Sequence, residues 1–215
     1  MTFAAIIPAL NEAQTIGSVV AALRGAHELS EIIVIDDGST DDTAQAAAAS
    51  GVRVIRLPQN IGKGAAMRLG TKQTKADVVI FIDADLVGIH KGHITALTKP
   101  FDQNRELGMV IGLRDRYNGI TKILKHFFPF FVLSGERAIQ RDLFLSCSKD
   151  TADFGIEVRM NAYCATHHIP VEYVHLAGLD QIIKEKKYGL WLGFYARVRM
   201  ICQIVHVCIL MLLNK

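Results

Sequence analysis

Two aspartates one residue apart, Asp83 and Asp85, close the unbroken apolar run of residues 78–82. In an extended chain alternate side chains point the same way, so both carboxylates face one side. Two like charges so close repel, and one takes up a proton unless a cation lies between them. A hard divalent ion resolves the conflict. Mg²⁺ or Mn²⁺, held by one or two carboxylates and the phosphates of a substrate, is the fitting chemistry. The competing reading of Asp83-Ala84-Asp85 is a capped turn leading into the next element.

A second acidic cluster, Asp36-Asp37-Gly38-Ser39-Thr40-Asp41, follows another apolar run. Gly38 suits a turn, and Ser39, Thr40 or Asp41 suits a helix start. That leaves two adjacent acids unexplained, and a carboxylate there can accept from a base N–H or a ribose hydroxyl. Asn60-Ile61-Gly62-Lys63-Gly64 is glycine-rich and opens a helical pattern, with neither P-loop nor dinucleotide-fold spacing. Its small residues permit close backbone approach, and Lys63 offers a positive charge to phosphate; a solvated lysine at a helix start is the bland alternative. His90 with His93, and His167 with His168, have no acidic or cysteine companions at metal-site spacing and are read as structural.

These groups need elements to hold them. Residues 3–8, 32–35, 52–57, 78–82 and 109–112 read as strands. Ile16, Val19, Val20 and Leu23 recur at helical spacing, an Ala-rich helix follows Asp41, and residues 62–74 form another helix. Strands alternating with helices give an α/β fold, a mostly parallel Rossmann-like sheet with helices on both faces. In such sheets ligands gather beyond the carboxyl ends of the strands. Three of those ends carry the polar clusters: residues 8–12, 36–39 and 83–85.

A chain of 215 residues, half of them apolar, can bury a sizeable core in one domain. Its net charge of +3 is too small to argue for nucleic acid, and no aromatic-plus-basic binding motif is present. Cys147, Cys164, Cys202 and Cys208 lack CxxC spacing and read as reduced thiols of a cytosolic protein. The first ten residues have no basic stretch of a signal peptide.

The segments "IIPALNE", "VIDDGSTDDT", "NIGKGAAMRLG" and "VVIFIDADL" together resemble the nucleotide-sugar half of the family 2 glycosyltransferases, which have the GT-A fold. The resemblance implies that Pro8, Ala9, Leu10, Asn11 and Glu12 line the nucleotide. It implies that Asp37 contacts base or ribose with support from Asp36, and that Lys63 lies near base or diphosphate. Asp83, Ala84 and Asp85 would be the DXD element, holding Mg²⁺ or Mn²⁺ on the donor, a UDP- or GDP-sugar.

The later half resembles two groups within that family. "VIGLRDR" is similar to a strand of polyprenyl-phosphate glycosyltransferases such as the dolichol-phosphate mannose synthases, where an arginine helps bind phosphate; Arg114 takes that place. "LSGERAIQRDLF" is similar to segments of those enzymes and of the glucosyl-3-phosphoglycerate synthases, which makes Ser134, Gly135, Arg137 and Arg141 acceptor-side residues. "FGIEVRMNAYCATHHIPVEYVHLAGL" resembles the later helix and strand of both groups, and His175 would join the metal as a histidine does in the phosphoglycerate enzymes. A polyprenyl phosphate is the preferred acceptor and a small phosphorylated metabolite the alternative. A hydroxyl acceptor needs a general base, and Glu136, Asp153 and Glu157 are the choices, with Asp85 and Arg114 completing the reacting centre. A phosphate acceptor needs arginines instead.

A nucleotidyltransferase, the rival from another class, would carry a basic glycine-rich signature after its first strand, where this chain has Asn11-Glu12. A non-catalytic sugar-nucleotide-binding subunit is the third reading. The expected organisation is a transferase domain over residues 1–183, with a donor half (1–86) and an acceptor half (87–183), then a helical segment at 184–215. Residues 189–213 are strongly apolar, with Arg199, Gln203 and His206 on one helical face. Their uninterrupted apolar length falls short of a spanning helix. With Trp191, Tyr195 and the lysines at 184, 186 and 187, the segment fits either the cytoplasmic surface of a membrane or packing against the core or a second copy of the chain.

Overall fold

The protein is described from a computed structural model, which covers residues 1–115, 132, 134–148 and 155–181. The expected boundary near residue 183 and the apolar segment after it lie outside these residues, as does Asp153.

The strands are β1 (Phe3–Ala9), β2 (Leu29–Asp36), β3 (Arg53–Arg56), β4 (Val78–Phe81), β5 (Leu86–Val87), β6 (Met109–Arg114), β7 (Arg137–Gln140), β8 (Val171–Leu176) and β9 (Asp180–Gln181). The helices are α1 (Ile16–Arg24), α2 (Thr43–Ala49), α3 (Lys63–Lys72), α4 (Lys91–Gln103), α5 (Arg141–Cys147) and α6 (Ile156–Thr166). Seven strands form one sheet in the order β3-β2-β1-β4-β7-β6-β8, and β5 pairs with β9 apart from it. The expected α/β architecture is present, with β7 as the antiparallel exception between β4 and β6.

The central strands are unbroken apolar runs because both faces are covered. From β1, Ala5 and Ile7 pack with Val19, Val20 and Leu23 of α1 and with Ile94 and Leu97 of α4. On the opposite face Ile6 and Phe81 pack with Met67 of α3, Phe144 of α5 and Met160 of α6. Gly70 of α3 lets that helix lie close: a methyl there would stand 2.5 Å from Ile6 Cγ2. The helix expected after Asp41 starts at Thr43, whose N–H is accepted by Asp41 Oδ1 at 3.0 Å.

Register gathers the polar clusters at one edge. Ala9 lies opposite Asp36 in the parallel β1–β2 pair, and Ile6 opposite Phe81 in the parallel β1–β4 pair. Because β7 runs antiparallel, Arg137 pairs with Phe81 and Gln140 with Val78. Residues 134–136 therefore stand beside Asp83, at the same edge as the end of β6, where Gly112 N–H donates to Glu136 O at 2.9 Å.

Candidate active site

Two loops build the first wall of the site. Asn11, held in the left-handed region at φ 55°, donates its N–H to Ser39 Oγ (2.9 Å) and accepts from Thr40 N–H at Oδ1 (2.9 Å). Glu12 N–H donates to Thr43 Oγ1 at 2.8 Å. The turn after β1 is thereby fixed to the turn after β2. Asp36 is fully buried; Oδ1 accepts from Ser39 N–H (2.9 Å), and Oδ2 lies 3.4 Å from Arg56 Nε.

Asp37 accepts from Ile61 N–H at Oδ1 (2.8 Å) and from Gly62 N–H at Oδ2 (3.0 Å). Burial lifts its carboxyl above the usual range, and the two N–H bonds oppose that. Gly38 makes the contact possible: φ is +77°, and a methyl there would stand 2.6 Å from the Gln59 carbonyl carbon. Asp37 thus anchors the loop that begins α3 and fixes where Lys63 starts. Pro8 and Leu10 are half-buried beside it, and Ala9 and Ala84 are buried.

Beyond this wall lies a charge cluster. Lys63 Nζ is 2.9 Å from Asp83 Oδ1 and 2.9 Å from Glu157 Oε1. Burial alone would lower the lysine pKa, but the two carboxylates more than offset it and hold the amine charged, well above the ordinary lysine range. Arg114 donates Nε to Glu136 Oε2 (2.8 Å), Nη2 to Glu136 Oε1 (2.5 Å) and Nη1 to Gln181 Oε1 (2.7 Å), and Nη2 is 3.5 Å from Asp83 Oδ2. Glu136 is fully buried; desolvation and the Asp83 charge push its carboxyl up, while Arg114 pulls it down. Ser134 Oγ donates to Gly112 O (2.5 Å) and lies 3.0 Å from Glu136 Oε2. Gln181 Nε2 donates to both oxygens of Asp85, each at 2.7 Å.

The cluster therefore sets Asp83, Asp85, Glu136 and Glu157 against two cationic side chains, Lys63 and Arg114. Among the described residues, with all six ionised, the set carries four negative and two positive charges, an environment suited to a dication. Among the described residues no group of three His, Cys, Asp or Glu side chains could hold a metal. Two carboxylates completed by substrate phosphates is the usual arrangement for Mg²⁺, and the donors here are hard oxygens. The residues present fit such an ion.

The structure brings together Pro8, Ala9, Leu10, Asn11, Glu12, Asp36, Asp37, Lys63, Asp83, Ala84, Asp85, Arg114, Ser134, Gly135, Glu136 and Glu157. It leaves three expected residues out. Arg137 is wholly buried, and its guanidinium donates to the carbonyls of Ser134 (2.6 Å) and Val132 (2.6 Å) and to Asn161 Oδ1 (2.5 Å). It braces the wall from behind. Arg141 lies at the opposite edge of the sheet, its N–H on Asp77 O (2.9 Å) and its Nε on Thr74 O (3.0 Å). The four-residue strand β7 separates it from Glu136, a span of about 14 Å. His175 is half-exposed on β8, and its Nε2 meets Asp115 Oδ1 at 2.8 Å, not the DXD carboxylates.

Two of these residues pair with each other. Arg114, expected on phosphate, is also the counter-ion of Glu136 and Asp83. Glu136, expected as a base, has both oxygens on Arg114 and positions that arginine. Gln181 was not expected at all. It reaches Asp85 through the β5–β9 pairing, Leu86 opposite Gln181, and nothing in its own neighbourhood signals that.

The profile of Glycosyl transferase family 2 matches residues 4–153. Glucosyl-3-phosphoglycerate synthase of Mycobacterium tuberculosis (strain ATCC 25618 / H37Rv) is 39% identical over 108 residues, covering 46% of this chain and 33% of that protein. Undecaprenyl-phosphate 4-deoxy-4-formamido-L-arabinose transferase of Pseudomonas savastanoi pv. phaseolicola is 41% identical over 91 residues, 38% of this chain and 27% of that protein. The chain thus spans about a third of the first relative's length. A solved structure of the M. tuberculosis synthase with Mn²⁺, uridine diphosphate and phosphoglyceric acid superposes with a TM-score of 0.80. It is 26% identical, and the match covers 98% of this chain and 78% of that one.

Proposed function

The chain belongs to glycosyl transferase family 2, and from that membership we propose that it moves a sugar from UDP to a small phosphorylated acceptor. The bond between the anomeric carbon and the diphosphate oxygen breaks, an acceptor oxygen takes that carbon, and UDP leaves. Oxygens of Asp83 and Asp85 would hold Mg²⁺ or Mn²⁺. When bound, the ion neutralises charge developing on the departing diphosphate. The observation that carries this reading is the convergence of Asp83 and Asp85 with Lys63, Arg114 and Glu157 at the carboxyl edge of the sheet.

The chain's own residues divide the remaining work. Residues 8–12 and Asp37 form the wall against which the nucleotide lies, with Asp36 behind it. Lys63 keeps its charge beside the DXD element and faces the diphosphate. Arg114, fixed by Glu136, adds a second positive group. Glu157, the less buried of the two described candidate bases, accepts a hydroxyl proton from the acceptor, and Ser134 and Gly135 line the acceptor's approach. The mycobacterial synthase, solved with uridine diphosphate and phosphoglyceric acid, supports this donor and this acceptor class.

A polyprenyl phosphate is the second reading. The likeness to an undecaprenyl-phosphate transferase and the apolar residues 189–213 favour it. It would place the protein peripherally on a cytoplasmic membrane face, with residues 184–215 as the attaching or self-associating segment. Among the described residues no helix is long and apolar enough to cross a membrane.

Calorimetric titration of UDP and GDP with and without Mn²⁺ tests the donor site, and UDP release from UDP-glucose tests the reaction. Turnover is expected with 3-phosphoglycerate; turnover confined to undecaprenyl phosphate in liposomes would establish the second reading. Metal-dependent binding without turnover on either would leave a sugar-nucleotide-binding subunit. No metal-dependent nucleotide binding would end the transferase reading.

A further inference from the structure

The carboxamide of Gln181 spans two groups of opposite charge. Its Nε2 donates to Asp85 Oδ1 and Oδ2 at 2.7 Å, and its Oε1 accepts from Arg114 Nη1 at 2.7 Å. The backbone that carries it is tied down from several sides. Gln181 pairs with Leu86, the residue directly after Asp85. Asp115 Oδ2 accepts from Gly178 N–H at 2.9 Å, and His93 Nε2 meets Ala177 O at 3.0 Å. Gly88 packs so closely that a methyl on it would stand 2.4 Å from Gly178 O. The Cα of residue 181 is thus fixed beside Asp85, while the amide can turn about its last, soft torsion.

The two ends of that amide are chemical opposites. The NH₂ end suits a bare carboxylate. A dication on Asp85 repels it and attracts the carbonyl oxygen instead. We propose that Gln181 is a ligand of the metal ion: when the donor arrives with its cation, the carboxamide makes a half-turn and presents Oε1 to the ion beside Asp85. This rests on the metal-dependent donor site proposed above. The same half-turn takes the acceptor from Arg114 Nη1 and sets the Nε2 donor beside it, so both N–H groups pass to a phosphate oxygen of the substrate. Ion binding and the arming of the arginine become one event. The ligand set is then all oxygen, which suits Mg²⁺ and Mn²⁺ and gives softer ions no advantage.

The test follows Mn²⁺ by electron paramagnetic resonance, using the full chain with saturating UDP. Gln181→Ala is expected to weaken Mn²⁺ binding roughly tenfold or more. Gln181→His is expected to restore Mn²⁺ binding and to add a ¹⁴N modulation from imidazole in the pulsed spectrum, absent from the wild type. That signal reports contact with the ion, which a merely structural residue would not give. Wild-type Mn²⁺ affinity in Gln181→Ala, or no nitrogen modulation from Mn²⁺ bound to Gln181→His, overturns the assignment while leaving the donor site intact. Failure of the wild type itself to bind Mn²⁺ with UDP overturns both.

Discussion

The carboxylate of Asp83 rests directly on the backbone of Gly135: a methyl group built on that glycine would stand 2.3 Å from Oδ2 and 2.8 Å from Cγ. The contact joins the turn after β4 to the turn that leads into β7. It also holds Asp83 between Lys63 and Arg114. Gly135→Ala is expected to push the carboxylate off both partners. Overpacking should cost about 1–3 kcal/mol of stability, and displacement of a reacting-centre group on the order of 10²-fold in turnover. Urea unfolding and UDP release measure the two effects; a variant with wild-type turnover would show that the position of Asp83 does not matter.

Asp83→Asn and Asp85→Asn each remove one negative charge and a carboxylate ligand from the proposed ion. Turnover is expected to fall by roughly 10²–10³-fold, and Mn²⁺ should no longer improve UDP binding in calorimetry. The far-ultraviolet circular dichroism should be unchanged, because neither side chain supports the core. Retained Mn²⁺ dependence in both variants would contradict the site.

Lys63→Met leaves Asp83 and Glu157 without the cation between them. The two side chains keep 17% and 12% of their exposure, so the loss should be about 2–3 kcal/mol, under the value for a fully buried pair. Adding Glu157→Gln should recover part of it, since one unpaired charge is then gone. Additive effects in a double-mutant cycle would show that the ion pair is not coupled.

His93 gives the stability a pH dependence. It is buried, its Nδ1 accepts from His90 N–H at 3.3 Å, and its Nε2 donates to Ala177 O. Burial holds the ring below its ordinary value of 6.5, the His90 ring adds to this, and the Ala177 bond opposes it. The unfolded chain therefore takes up this proton at a higher pH than the folded one. The contribution is complete above about 6.5 and is lost as pH falls toward the depressed folded value. Urea melts between about pH 5 and 7 should show a shallower slope for His93→Gln than for the wild type. Identical slopes would remove His93 from the account.

Burial pushes the Cys147 thiol up to about 12 and the Cys164 thiol to about 11. Cys147 of α5 and Cys164 of α6 both face the core. Thiolate is the reactive form, so iodoacetamide near neutral pH should leave both unmodified in the folded protein. Both should react after guanidinium unfolding. Peptide mapping separates them from Cys202 and Cys208.

The first part of the sheet was legible because its signals are local. Residues 3–8, 32–35 and 78–82 are apolar without a break, and each stops at an acid or a turn residue. A parallel sheet covered on both faces produces that pattern. Strand β7 was not legible: it has four residues and begins with an arginine. Only tertiary structure tells that Val132, Ser134 and Asn161 satisfy that guanidinium. The same distance hid Gln181, which lies 96 positions from Asp85. Arg141 was misplaced because the antiparallel direction of β7, which carries it to the far edge, leaves no mark on the residues themselves.

The bonds that balance the cluster join residues far apart in the chain: Arg114 to Glu136 across 22 positions, Lys63 to Glu157 across 94, and Asp85 to Gln181 across 96. Contacts of such separation form late, because loop closure must come first. When only residues 1–86 have left the ribosome, Asp83 and Asp85 still lack Arg114 and Gln181, and Lys63 lacks its second partner, Glu157. Nascent and truncated chains are thus expected to remain inert toward the activated sugar, and the completed fold itself becomes the licence for turnover.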